Sequence, residues 1–253
     1  MTSHTHAELK LITIPISHYC EKARWALDFA KLPFHEEGYS PVFHYAATWQ
    51  FKHGRSVPVL VANGQAVGDS AAILRFANER CDGAKRLYPE SPEQRSKVDE
   101  LEALFNKRLG PATRRLIYFY LLPTRREAVA MLTTGATLVP RLLFTICFPA
   151  IRALMQKGMR INAESAGRSL KLIHDIFQQV ERELAGRQYL VGEAFSAADL
   201  TFAALAAPVL LPQEYHTALP TFADLPSDLA KEIELLRASA AGCFALRMFR
   251  DHR

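Results

Sequence analysis

The stretch "SVPVLVANGQAV", Ser56 to Val67, limits the fold more tightly than any other part of the chain. Two short apolar runs, Val57 to Val61 and Gln65 to Val67, meet at Asn63-Gly64. Both turn residues tolerate the positive φ of a type I′ turn, so the spacing predicts an antiparallel hairpin. Upstream, "LKLITIP" reads as a strand ending at Pro15, and "CEKARWALDFAK" as a helix with Ala23, Ala26, Leu27 and Ala30 on one stripe. Pro33 closes that helix, "FHEEGY" suits an edge strand, and "PVFHYAATWQFKHG" is loosely helical. Downstream, "GDSAAILRFANER" begins with Asp69 or Ser70 as N-cap and sets Ile73, Phe76 and Ala77 on one face. The order is strand, helix, strand, weak helix, hairpin, helix.

Beyond this unit the pattern changes. From Cys81 to Pro92 the apolar period vanishes and "CDGAKRLYPESPEQR" has the proline and charge of a connector. The expected division is a domain over 1–82, a linker over 83–92 and an all-helical domain over 93–253. Leu170, Ile173, Phe177, Val180 and Leu184 make one helical stripe closed by Gly186. "FSAADL" opens another helix, with Ser196 and Asp199 as a capping pair and Phe195 stapling onto Leu200. A chain of 253 residues, 49% hydrophobic and 23% charged, has the material for two packed units.

Charge and cysteine usage exclude several classes. The net charge is +5, but basic and acidic residues are interspersed, which argues against a nucleic-acid interface. Cys20, Cys81, Cys147 and Cys243 are far apart with no metal-ligand spacing, which favours a reducing cytoplasm and no metal. "MTSHTHAELK" has no signal-peptide core. The most apolar stretch is Ala136 to Met155. Arg141, Arg152, Pro140 and Pro149 argue against a spanning helix there and for a buried or substrate-facing helix pair, with peripheral membrane contact through 136–155 as the alternative.

"SHYCEKARWAL", Ser17 to Leu27, sets a hydroxyl and a thiol three residues apart where a helix begins. Unpaired N–H groups and partial positive charge collect at such a terminus and favour a thiolate. Ser17 is either an ordinary N-cap or the donor to a bound thiolate, and Tyr19 is a second candidate donor. Cys20 is either a buried core thiol or a nucleophile.

With Arg55 to Leu60, Asp69 to Phe76 and Ser196 to Leu200, this motif resembles the cytosolic glutathione transferase superfamily, in its serine-type form. The resemblance implies an α/β thioredoxin-like N-terminal domain followed by an all-α helical domain. It implies that Ser17 activates the thiol of glutathione, the co-substrate, for attack on a small apolar electrophile. It also implies a cis bond between Val57 and Pro58 with the Val57 backbone pairing to the cysteinyl part, and Asp69 and Ser70 holding the γ-glutamyl end. The family expects a basic or amide residue for the glycine carboxylate; Ser56 departs from this, leaving Arg55, Lys52 or His53. The acceptor is expected between the domains, against Tyr118, Phe119 and Leu122, with Thr133 to Arg160 as a lid or an enlarged pocket wall. A homodimer is the family's usual state. Two other readings stay open: a non-catalytic binding or membrane-associated protein of the same fold, and a thiol redox enzyme using Cys20.

Overall fold

The computed structural model describes residues 9–51, 55–81 and 86–253. Strands β1 (Leu9–Thr13), β2 (Phe34–Gly38), β3 (Val59–Ala62) and β4 (Gln65–Gly68) form one sheet in the order β2-β1-β3-β4. β1 and β2 are parallel, whereas β3 runs antiparallel to both β1 and β4. The β3–β4 turn is the anticipated one, with Asn63 at φ 50° and Gly64 at φ 77°. Between the strands lie α1 (His18–Phe29) and α2 (His44–Trp49), and α3 (Ser70–Asn78) closes the unit. Ala23, Ala26 and Leu27 of α1 are fully buried, as are Ile73 and Ala77 of α3.

The second half is helical: α4 (Pro92–Leu104), α5 (Gly110–Leu121), α6 (Arg125–Leu132), α7 (Leu138–Met159), α8 (Ala163–Leu184), α9 (Ala197–Ala206), α10 (Ser227–Ala238) and α11 (Ala240–His252). A single π-helical turn, Phe105–Leu109, joins α4 to α5. α8 buries Ile173, Phe177, Val180 and Leu184 and ends at Ala185 and Gly186, both at positive φ. At the start of α9, Asp199 accepts from the N–H and O–H of Ser196 and from Leu190 N–H, at 2.6–2.8 Å. Ser196 and Asp199 are buried and hold this turn together.

The pair of helices expected in Ala136 to Met155 is instead one continuous helix. α7 passes through Pro149 and buries only Phe144, Phe148, Ile151 and Met155. Proline removes one backbone bond, and here it lies on the exposed side of the helix.

The two halves share one main core, because α1 is covered on nearly every side. Of its charged residues, Glu21, Lys22 and Arg24 are fully buried and paired, while Asp28 near its end is exposed. Lys22 Nζ lies 2.8 Å from Glu102 Oε1 of α4, and Arg24 forks onto Glu36 of β2 at 2.7–3.0 Å. Trp25 Nε1 donates to His252 O at 2.7 Å, and Arg253 Nε reaches Glu21 Oε1 at 2.6 Å. Charges this deep are tolerated only when paired and hydrogen-bonded.

Candidate functional site

A cavity of about 850 Å³ opens between the halves. That lies in the upper part of the usual range for small-molecule sites, about 300–1,000 Å³. Of the candidates read from the sequence, Ser17, Tyr19, Arg55, Val57, Pro58, Asp69, Ser70 and Tyr118 line it. Cys20 does not. It is wholly buried on the inner side of α1, and burial pushes its thiol up to about 11. Lys52 and His53 lie outside the described residues.

Ser17 is the N-cap of α1 with extended backbone, yet its side chain makes no capping hydrogen bond. The hydroxyl is therefore not committed to the helix terminus, and it interacts instead with the Cys20 thiol. The preceding loop is fixed by distant parts of the chain. Ser17 N–H donates to Ile14 O at 2.9 Å, Tyr215 Oη to Ile16 O at 3.1 Å, and both Thr217 Oγ1 and Arg24 to Pro15 O at 3.0 Å. Tyr215 and Thr217 carry no local pattern that marks them, since the contact spans some two hundred positions.

The peptide bond between Val57 and Pro58 is cis. Asp69 caps α3 at φ 59°, its Oδ1 accepting from Ala71 N–H at 2.7 Å and Ala72 N–H at 3.0 Å. Ser70, the first residue of α3, is buried. Two helix N-termini, of α1 and α3, thus meet the same cavity, and both carry partial positive charge suited to anionic groups. Arg55 is exposed, its guanidinium 5.3 Å from the Tyr45 ring centre and its carbonyl 3.0 Å from His44 Nε2.

Tyr19 lies on the cavity wall, but its hydroxyl is engaged. It donates to Asn106 O at 2.7 Å, and burial raises its pKa to about 12. The π-turn explains the partner: Asn106 lies in the irregular turn, where backbone carbonyls can serve other donors. His18, the other ring in the motif, lies 3.1 Å through Nε2 from Gly110 O. A carbonyl only accepts, so the ring donates from Nε2; burial, and then the charge of Arg114, lower its pKa to about 3 and favour the neutral ring.

The helical half supplies the remaining wall. Arg114, Ile117 and Tyr118 come from α5, Met131 from α6, and Leu154, Met155 and Met159 from α7. The Arg114 charge is felt by His18, Tyr19 and Tyr118. Phe119 and Leu122 do not join this wall: Phe119 packs on the main core, and Leu122 is fully buried in a second cluster with Phe144 and Phe148. Among the described residues, no group of three His, Cys, Asp or Glu side chains gathers as a metal site.

A four-stranded mixed sheet with flanking helices, joined to a helical half across a shared cavity, defines a thioredoxin-like domain with an appended helical domain. A family model described as the N-terminal domain of glutathione S-transferase matches residues 11–85, and the C-terminal domain model matches 146–221, together more than half of the chain. The chain belongs to the cytosolic glutathione S-transferase superfamily.

A stretch of 101 residues is 28% identical to dichloromethane dehalogenase of Methylorubrum extorquens, covering 38% of this chain and 35% of that protein. The match thus spans about a third of the relative's length. The glutathione S-transferase of Xanthobacter autotrophicus Py2 superposes with a TM-score of 0.60 at 17% identity, over 96% of this chain and 93% of the other. A glutathione S-transferase of Methylobacterium radiotolerans, in complex with glutathione sulfonate, gives 0.55 at 21% identity over 94% of each chain. At such identities these likenesses concern the fold.

Proposed function

We propose that the protein transfers glutathione to a small apolar electrophile, with Ser17 donating a hydrogen bond to the glutathione thiolate. The observation that carries this reading is the convergence of Ser17, Val57 and Asp69-Ser70 on one cavity whose remaining wall is largely apolar. Val57 offers its backbone N–H and C=O to the cysteinyl unit as an added strand would. Asp69 suits the γ-glutamyl ammonium, while the α3 N-terminus and the Ser70 hydroxyl suit its carboxylate. Arg55 is the remaining candidate among the described residues for the glycine carboxylate.

A free thiol titrates near 8.5. Lowering it to about 6.5 makes roughly three quarters of it thiolate at neutral pH. The thiolate sulfur then bonds to the electrophilic carbon while the departing group leaves with its electron pair. No covalent enzyme intermediate is needed, and proximity supplies much of the rate. Arg114, a cation on this wall, suits a departing group that takes up negative charge, and the name of the dehalogenase relative agrees with such a displacement. A homodimer in a reducing cytoplasm completes the reading.

The test is ultraviolet titration of the bound thiol in the wild type and in Ser17→Ala. The wild type is expected to show saturable thiolate absorption at neutral pH. Ser17→Ala is expected to bind glutathione while losing that absorption and at least about tenfold in kcat. Unchanged thiolate and turnover in the variant would remove Ser17 from the role. Heat of glutathione binding with no thiolate signal in the wild type would favour a binding protein of the same fold.

A further inference from the structure

α7 has two unlike faces. Phe144, Phe148, Ile151 and Met155 pack inward against α6 and the Val42-Phe43 turn. Outward, Leu138, Val139, Leu142, Leu143, Ile146 and Leu154 form an uncovered apolar strip; Leu138 is 80% exposed, Ile146 64% and Leu142 57%. By the helical period these six, with Pro149, Ala150 and Ala153, cover one continuous side of the cylinder. Surface leucines scattered singly need no explanation, but a contiguous strip of this length marks an interaction surface.

Charge decides what the strip meets. From Ala128 to Ala163 the sequence contains no Asp or Glu, yet it holds Arg141, Arg152, Lys157 and Arg160. Arg141 and Arg152 flank the strip along one edge, and Arg125, whose guanidinium donates to Thr145 O at 2.9 Å, lies beside them. A second copy docked on this face by two-fold symmetry would set these arginines against their equals, with no carboxylate on the face to answer them. An apolar strip edged by cations instead matches a bilayer surface carrying anionic headgroups: the apolar side enters the acyl boundary and the arginines reach up to phosphates.

We propose that the outer face of α7 docks in the plane of an anionic phospholipid membrane. The helix has 22 residues, and its most apolar 18-residue stretch has a mean hydropathy of 1.6, enough to cross a bilayer by length and composition. Crossing, however, would strip Phe144, Phe148, Ile151 and Met155 from their packing, whereas lying flat keeps it. Met155 and Leu154 also line the cavity, so docking sets the acceptor side of the cavity beside the acyl layer. Uptake of a bilayer-dissolved acceptor by that path rests on the transferase reading; docking itself does not.

The test is flotation of the full chain, without glutathione, on phosphatidylcholine vesicles with and without phosphatidylglycerol. The wild type is expected to float with the anionic vesicles at least about tenfold better than with neutral ones, and to be released by high salt. Leu142→Glu/Ile146→Glu is expected to stay in the heavy fraction while retaining glutathione-dependent turnover of a water-soluble electrophile. Arg141→Gln/Arg152→Gln is expected to bind several-fold more weakly. Absence of wild-type flotation, or equal flotation on both vesicle types, would overturn the proposal. A wild type that fails to float, with a sedimentation coefficient that drops in the Leu142→Glu/Ile146→Glu variant, would assign the strip to a second copy.

Discussion

The Tyr19 hydroxyl and the α-carbon of Gly110 are in such close apposition that a Cβ at residue 110 would fall inside the hydroxyl's van der Waals envelope. The same hydroxyl donates to Asn106 O at 2.7 Å. Gly110→Ala is therefore expected to push Tyr19 off the π-turn and destabilise the protein by about 1–3 kcal/mol, read from urea midpoints. Tyr19→Phe removes one hydrogen bond but no bulk, and about 1 kcal/mol is expected. If Ser17 is the thiolate donor, Tyr19→Phe keeps kcat within about threefold of wild type; a loss near that of Ser17→Ala would transfer the role to Tyr19.

Asp69 caps α3, and the proposed function gives it a second, separable duty. Asparagine keeps the capping oxygen and tolerates positive φ, so Asp69→Asn is expected to change stability by less than about 0.5 kcal/mol. It removes the negative charge proposed for the ammonium of glutathione. The glutathione KM is expected to rise about tenfold or more with little change in kcat. Steady-state kinetics beside thermal melts distinguish the two duties, and an unchanged KM would leave Asp69 as a cap alone.

Lys22 and Glu102 tie α1 to α4 without access to water, and Tyr88 Oη donates to the second Glu102 oxygen at 2.8 Å. Burial depresses the Lys22 pKa, so the ammonium depends on its partner. Lys22→Met is expected to cost about 3 kcal/mol, because it leaves the buried Glu102 carboxylate to the half-exposed Arg75, 3.6 Å away, and to the Tyr88 hydroxyl. Adding Glu102→Gln removes the under-compensated charge and is expected to restore most of that loss. Equal stability of the single and double variants in urea would mean that Arg75 compensates the carboxylate fully.

His18 makes stability depend on pH. Its pKa is about 3 in the folded protein and near 6.5 when unfolded, so between these values the unfolded chain binds more protons. Its contribution is complete above pH 6.5 and is lost as pH falls toward 3. His18→Gln can still donate to Gly110 O but has no titrating ring. Between pH 7 and 4 the wild type is expected to lose roughly 3 kcal/mol more than the variant. Asp199, raised by burial to about 6, acts in the opposite sense and cancels in the comparison. Parallel pH profiles would mean that folding leaves the His18 pKa near its unfolded value.

What was legible in the sequence was what neighbours decide. Asn63-Gly64 announced its turn, Ser196 and Asp199 their cap, and Ile173 to Leu184 their stripe, since each depends on residues a few positions apart. The two-part fold followed from the change of period near Cys81. The continuity of α7 was missed because Pro149 signals a break in an isolated helix, while packing of Phe144, Phe148 and Ile151 on both sides of it holds the helix together. The π-turn, the buried Lys22 and Glu102, and Tyr215 behind Ser17 were missed for another reason: their partners lie 80 to 199 positions away. At Cys20, spacing alone left core and nucleophile open, and its burial on the inner side of α1 separates them.

The hydrogen bond from Trp25 to the His252 carbonyl bears on how the protein is made. The indole of the first helix and the carbonyl that receives its proton are 227 positions apart. While the ribosome is still producing the intervening helices, the largest side chain of α1 lacks its acceptor, and the Glu21 carboxylate has Arg24 on its own helix but not yet Arg253. The thioredoxin-like unit emerges first but is completed last.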